Sequence, residues 1–274
     1  MHLKISWFLA VLTTTAFATT GNAQLRPLDP VDYDAFDGAP LRATLGGGVY
    51  NDQRASLAGT EGRLWEIGNV RLLIRTGRVV FDFGGTVQRL FTGEAVWAAP
   101  TGDAVAPAAN RRRHDAGDYR AGVIVRLTGE GATLASLRFG TRLPTTDNMV
   151  GLDRDATDFF ATLGAQRRFT TLRVAAEAGL AINGTRRTTH EQSDVLIYAV
   201  NTQLNLRTLT PYVVALGQED FHPSAIRGNE DLGELRIGVK VGTRRWVDAA
   251  FVRGYREFSP GTGLQLTFGA LFGR

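Results

Sequence analysis

The sequence contains no cysteine. That excludes a disulfide scaffold, a cysteine zinc site, a thiol nucleophile and a lipid-modified N-terminal cysteine. Blocks of one charge are also missing. Lys and Arg number 31 against 27 Asp and Glu, and the net +4 is spread along the chain. There is no polybasic tail, and no nucleic-acid partner is expected. Long hydrophobic runs are scarce: Ile5–Leu12 is far below the roughly 20 residues that a spanning helix needs. That run follows Lys4 and leads through small residues to Gly21-Asn22-Ala23, the pattern of a secretory signal peptide over 1–23, cleaved before Gln24.

Helix signals are weak, and what recurs instead is strict alternation. Candidate strands fall at 39–51, 62–75, 78–92, 118–128, 132–142, 156–168, 171–183, 193–206, 209–220, 232–243, 245–256 and 262–272. In the last, Leu264, Leu266, Phe268, Ala270 and Phe272 share a face. Alternation of this kind puts one face against apolar surroundings and the other against something polar. The joins alternate as well. Tight turns such as Thr76-Gly77, Arg207-Thr208 and Arg244 take turns with longer loops such as 93–117, 143–155 and 221–231. Outer-membrane barrels have this asymmetry, with short periplasmic turns and longer outer loops. The expected fold is therefore all-β, a transmembrane antiparallel up-and-down β-barrel of about twelve strands, with ten or fourteen as the alternatives. The barrel occupies 39–274, and the acidic, proline-marked segment 24–38 reads as a periplasmic lead-in. Tyr119, Phe159, Phe91 and Tyr255 are expected as outer interface anchors, with Tyr212, Trp246 and Phe272 at the periplasmic side.

The same alternation assigns a lumen face. It places Arg42, Arg71, Arg75, Arg120, Arg126, Arg138, Arg142, Arg173, Arg236 and Lys240 inward, facing Asp82, Asp158, Glu177 and Glu234. Ten cations against four carboxylates predict a basic lumen, and rings of Arg and Lys favour anionic solutes. The alternative is a plug in which these arginines pair with the carboxylates and with Gln88, Gln166, Asn201, Gln203 and Asn205. Two strands fit the pattern poorly. Glu66 falls on the outer face of 62–75, and either Asp248 or Arg253 must face lipid in 245–256 unless a bulge or a shifted strand boundary intervenes.

The stretch Leu137-Arg-Phe-Gly-Thr-Arg-Leu-Pro-Thr-Thr-Asp147, followed by Gly151-Leu-Asp-Arg-Asp-Ala-Thr-Asp-Phe-Phe160, resembles a group of bacterial outer-membrane barrels that includes transporters associated with phenol meta-pathway degradation. Gly140, Leu143, Pro144, Thr145, Thr157 and Asp158 match its strand-end and strand-start elements. The resemblance covers about 60 residues and implies a barrel with a transport role.

The functional expectation is a passive channel or transporter-like porin for small solutes, without catalytic residues, metal or cofactor. Its partners are outer-membrane lipid and, during assembly, periplasmic chaperones and the barrel-insertion machinery. A closed structural barrel acting through its outer loops is the second reading. An outer-membrane hydrolase is third, with His114, His190 and His222 the only histidines after the signal peptide. A soluble ligand-binding barrel is a fourth. The carboxylates Asp147, Asp153, Asp155 and Asp158 lack the order of a calcium loop and read as arginine-paired surface acids.

Overall fold

The computed structural model describes residues 25–96, 111–129, 131–147, 150–153, 156–184, 192–221 and 230–273. The proposed signal peptide lies outside them. The chain forms β1 (Leu41–Ala55), β2 (Thr60–Thr76), β3 (Val79–Ala95), β4 (Arg112–Asp115), β5 (Tyr119–Arg126), β6 (Thr133–Leu143), β7 (Asp158–Arg168) and β8 (Leu172–Gly184). It continues through β9 (Gln192–Leu204), β10 (Leu209–Asp220), β11 (Leu232–Gly242), β12 (Arg245–Gly254) and β13 (Thr262–Phe272). Apart from β4, each strand pairs antiparallel with the next, and β1 pairs with β13 from Leu41↔Phe272 to Asn51↔Thr262. Twelve strands therefore close a barrel with no free edge. Closure matters because lipid offers no hydrogen-bond partner to an unpaired strand.

The alternation works out as a sorting of side chains. Leu45, Leu163, Val200, Ile237, Leu264 and Phe268 stand about half exposed on the outer face. Glu66, Asp82, Arg138, Asp158, Glu177, Glu234 and Arg236 are buried inside. An exposed apolar belt of this extent is a liability in water and a match for hydrocarbon. The loop asymmetry also holds: turns such as 77–78 and 243–244 gather at one end, and joins such as 96–118 and 221–231 at the other. The short-turn end is taken as periplasmic.

Three departures from plain alternation have identifiable causes. Gly68, with φ +72°, is an extra residue of β2 against β1, where the register slips between Gly46↔Asn69 and Gly47↔Ile67. A β-bulge of this kind shifts the facing of everything beyond it. Glu66 therefore points inward instead of toward lipid, while Trp65 and Ile67 point out. The adjoining part of β3 changes phase at the same height. Gln88 becomes exposed, and Arg89 and Phe91 turn inward. In β12 no bulge is needed. Asp248 faces inward, where the Tyr212 hydroxyl donates to it at 2.7 Å, and Arg253 points out only one residue before the strand ends.

The interface anchors divide accordingly. Tyr119, Phe159, Tyr255 and Phe272 are outward and exposed, but Phe91 and Trp246 are buried in the interior. Tyr212 also turns inward, to Asp248. Strand β4 was not expected. It pairs with the outer part of β3, from Arg89↔Asp115 to Thr92↔Arg112, where β5 is too short to reach.

Candidate functional site

The expected periplasmic lead-in lies inside the barrel. Residues 25–38 run from the outer end, where Leu25 packs against Tyr50, Leu64, Phe91 and Leu152, to the periplasmic end, where the chain turns into β1. Along the way Leu28 packs on a cluster of Phe160, Ala181, Val195 and Ile197. Val31, Tyr33 and Phe36 then fill a cluster with Leu73, Val80, Ile124 and Leu134. Tyr33–Phe36 form one turn of 3₁₀-helix, capped by the Asp32 carboxylate accepting from the Asp34 amide at 3.0 Å. The physical reason for the inward course is charge. The wall offers a surplus of guanidinium groups, and this segment carries the missing carboxylates.

Arg26 heads the segment. Its Nε and Nη2 donate to the Glu234 carboxylate at 2.7 and 2.5 Å, its Nη1 reaches Glu66 at 3.1 Å, and its guanidinium lies 4.0 Å over the Tyr50 ring. Arg236 donates to Glu234 at 2.9 Å from below. Next, Asp29 accepts from Arg236 at 2.8 Å and from Arg120 at 3.2 Å, and its backbone carbonyl accepts from Arg138 at 2.8 Å. The Pro30 carbonyl accepts both Nη atoms of Arg71 at 3.2 Å. Lower down, Asp32 pairs with Arg42 at 2.9 Å, and Asp34 meets Lys240 at 3.0 Å together with Arg173. At the foot Asp37 pairs with Arg168 at 2.6 Å, and the Gly38 carbonyl accepts from Arg75 at 2.5 Å.

The sequence-predicted residues thus fall into two sets. Arg42, Arg71, Arg75, Arg120, Arg138, Arg173, Arg236 and Lys240 all contact the segment, as does Glu234 through Arg26 and Glu177, which accepts from the Val31 amide at 3.3 Å. Asp82 binds Arg71 at 2.7 Å, and Asp158 binds Arg142. Arg126 stays apart at the periplasmic end, donating to the Gly129 carbonyl at 2.6 Å. Sequence reasoning missed Arg26, Asp29, Asp32, Asp34, Glu66 and Arg89. The expected basic surplus is correspondingly offset, because most of these are inward acids.

Above this ladder lies a wall of paired arginines and acids. Arg89 contacts Glu66 at 3.2 Å and also Asp153, and Arg142 lies 3.4 Å from Asp118. The acids Asp153 and Asp158 are therefore ion-paired, through arginines of the barrel wall. At the outer rim Asp115 accepts from the backbone amides of Ala116 and Asp147 at 2.7 and 2.9 Å. Burial outweighs these bonds and pushes its carboxyl up to about 6, with Asp153 and Asp147 adding repulsion.

Two cavities flank the segment. One of about 320 Å³ is lined by Arg71, Arg89, Asp118, Arg120, Arg142 and Arg236, among others. A second of about 170 Å³ lies lower, beside Gln166, Asn201, Gln203, Lys240 and Asp248. Both are polar. Of the histidines, His114 is exposed on β4, while His190 and His222 lie outside the described residues. Ser193, near His190 in sequence, donates to Asp220 at 2.8 Å. Among the described residues no group of three His, Asp or Glu side chains is placed to hold a metal ion.

An outer-membrane channel from Pseudomonas putida F1 superposes with a TM-score of 0.62 at 13% identity, over 89% of this chain and all of that one. The chain has the fold of an outer-membrane β-barrel. The transport unit of the autotransporter AIDA-I from Escherichia coli gives a TM-score of 0.47 at 11% identity, covering 89% of this chain and 93% of that one. The translocator domain of the autotransporter NalP from Neisseria meningitidis gives 0.46 at 13% identity, covering 87% and 91%. No family model matches the chain. No curated protein matches it either.

Proposed function

We propose that the protein is an outer-membrane channel for small polar solutes, held closed by its own residues 25–38. One observation carries this reading. Ion pairs made directly by the wall join nearby strands: Arg71 to Asp82 between β2 and β3, Arg142 to Asp158 between β6 and β7, Arg138 to Glu177 between β6 and β8. Among the described residues, the ion pairs that reach across the lumen pass through the segment. Arg26 links β11 to β2 through Glu234 and Glu66, and Asp29 links β11 to β5 through Arg236 and Arg120. A barrel so built is blocked by one removable element. Without the segment, the lining is rich in arginine, which favours anionic solutes.

The second reading is a permanently closed barrel that acts through its outer loops, and the density of cross-lumen pairing favours it. Single-channel recording in planar bilayers separates the two. The full chain should conduct little, and a variant lacking residues 25–38 should open to a steady, anion-favouring conductance at least about tenfold larger. A deletion variant that folds, shows heat-modifiable migration and still fails to conduct would leave only the closed barrel.

A further inference from the structure

At the periplasmic mouth a third cavity, of about 600 Å³, lies between the foot of the segment and the turns that follow β2 and β5. Four arginines line it: Arg75, Arg78, Arg126 and Arg168. The sole carboxylate lining it among the described residues is Asp37, already engaged by Arg168 at 2.6 Å. Two other guanidinium groups rest on neutral carbonyls, Arg75 on Gly38 at 2.5 Å and Arg126 on Gly129 at 2.6 Å. These bonds orient the side chains, and among the described residues no carboxylate pairs with either guanidinium. The Nε atoms of Arg75 and Arg126 are buried with no acceptor. Main-chain bonds fix the arrangement, with the Arg75 amide on Pro40, the Arg126 amide on Arg78 and the Arg168 amide on Ala132, at 2.7 to 2.8 Å.

Converging guanidinium groups with open N–H donors are built for planar or tetrahedral oxyanions, which accept several charge-assisted bonds at once. We propose that this mouth is a binding site for a phosphate group presented from the periplasmic side. The volume accommodates more than a bare phosphate, so a phosphate ester fits. Because Phe36, Asp37 and Gly38 form one wall, the site opens beside the lumen axis, which favours a soluble phosphate over a lipid headgroup.

The test is isothermal titration of inorganic phosphate into the full mature chain in a zwitterionic detergent. One saturable site is expected. Arg78→Glu, in an exposed turn where folding is not at stake, should weaken it about tenfold or more, and Arg126→Gln by a similar factor. Arg244→Ala, at the same end but outside the cavity and bonded to the Gly273 carbonyl, should leave the isotherm unchanged. Adding phosphatidylglycerol bicelles identifies the source: competition means a headgroup, and its absence a soluble anion. No saturable binding in the wild type, or equal binding in Arg78→Glu, would overturn the proposal.

Discussion

The head and the foot of the threaded segment are held by the same chemistry in different surroundings. At the head, Leu25 and Arg26 are buried, and the Glu234 carboxylate that grips Arg26 has no exposure at all. At the foot, Asp34 and Asp37 keep 21% and 37% of their side chains accessible while pairing with Lys240, Arg173 and Arg168. A buried pair is costly to break because the remaining charge is stranded, whereas a wet one contributes little. By ion pairing alone the outer end is thus the anchor and the periplasmic end the looser tie, although buried Tyr33 and Phe36 and the covalent link to β1 also hold the foot. Exchange of the charge pairs should be easiest at the foot.

The comparison breaks most sharply at the head. Arg26→Ala leaves Glu234 to Arg236 alone and Glu66 to Arg89 alone, and should cost about 3 kcal/mol, read from urea unfolding in detergent, with a large rise in bilayer conductance. If a foot variant costs more, the assignment of anchor and tie is inverted. Asp34→Asn removes one carboxylate from Lys240, Arg173 and Arg42, the last 3.8 Å away, and should cost about 1–2 kcal/mol. Its main signature should be brief openings in single-channel records.

A pH series probes the outer rim near the head. The Asp115 carboxyl is raised to about 6 from an ordinary value of 3.8, so the folded state binds a proton that the unfolded chain has already lost. Its contribution therefore favours folding at low pH and is lost as pH rises between about 4 and 6. Solvent at the half-exposed rim limits the effect to about 1 kcal/mol. Asp115→Asn should flatten this dependence and raise stability at pH 8 by that amount. The smallest effect belongs to Asp37→Asn, within about 0.5 kcal/mol, because its partner Arg168 is also wet and keeps a bond to the Gly131 carbonyl. A larger loss there would show that the foot is a second anchor.

The strands were legible because a period of two is written in every one of them, and most predicted boundaries fall within a few residues of those observed. Facing was legible only where the pleat is unbroken. Glu66 and Arg89 sit beyond the irregularity at Gly68 and Val87, and nothing in a lone Ile67-Gly68-Asn69 distinguishes a bulge from an ordinary strand glycine. The position of residues 25–38 had no periodicity to betray it. A charge signal was nonetheless present: ten inward cations against four inward acids cannot be buried together, and Asp29, Asp32, Asp34 and Asp37 lie immediately before β1. Treating that surplus as a debt of counter-charge, rather than as a pore preference, would have drawn the segment inside. Trp246 shows the limit of anchor reasoning. It sits near a strand end but faces inward, where the Arg42 guanidinium stacks 4.3 Å from its ring.

The path of the segment also constrains the order of assembly. Leu25 lies at the outer end and β1 begins at the periplasmic end, so the chain crosses the pore once before it becomes part of the wall that encloses it. Closing the seam between β1 and β13 around a leader already laid in place avoids drawing it lengthwise through a ring lined with matching charges, much as a cable is set in a conduit before the lid is pressed shut.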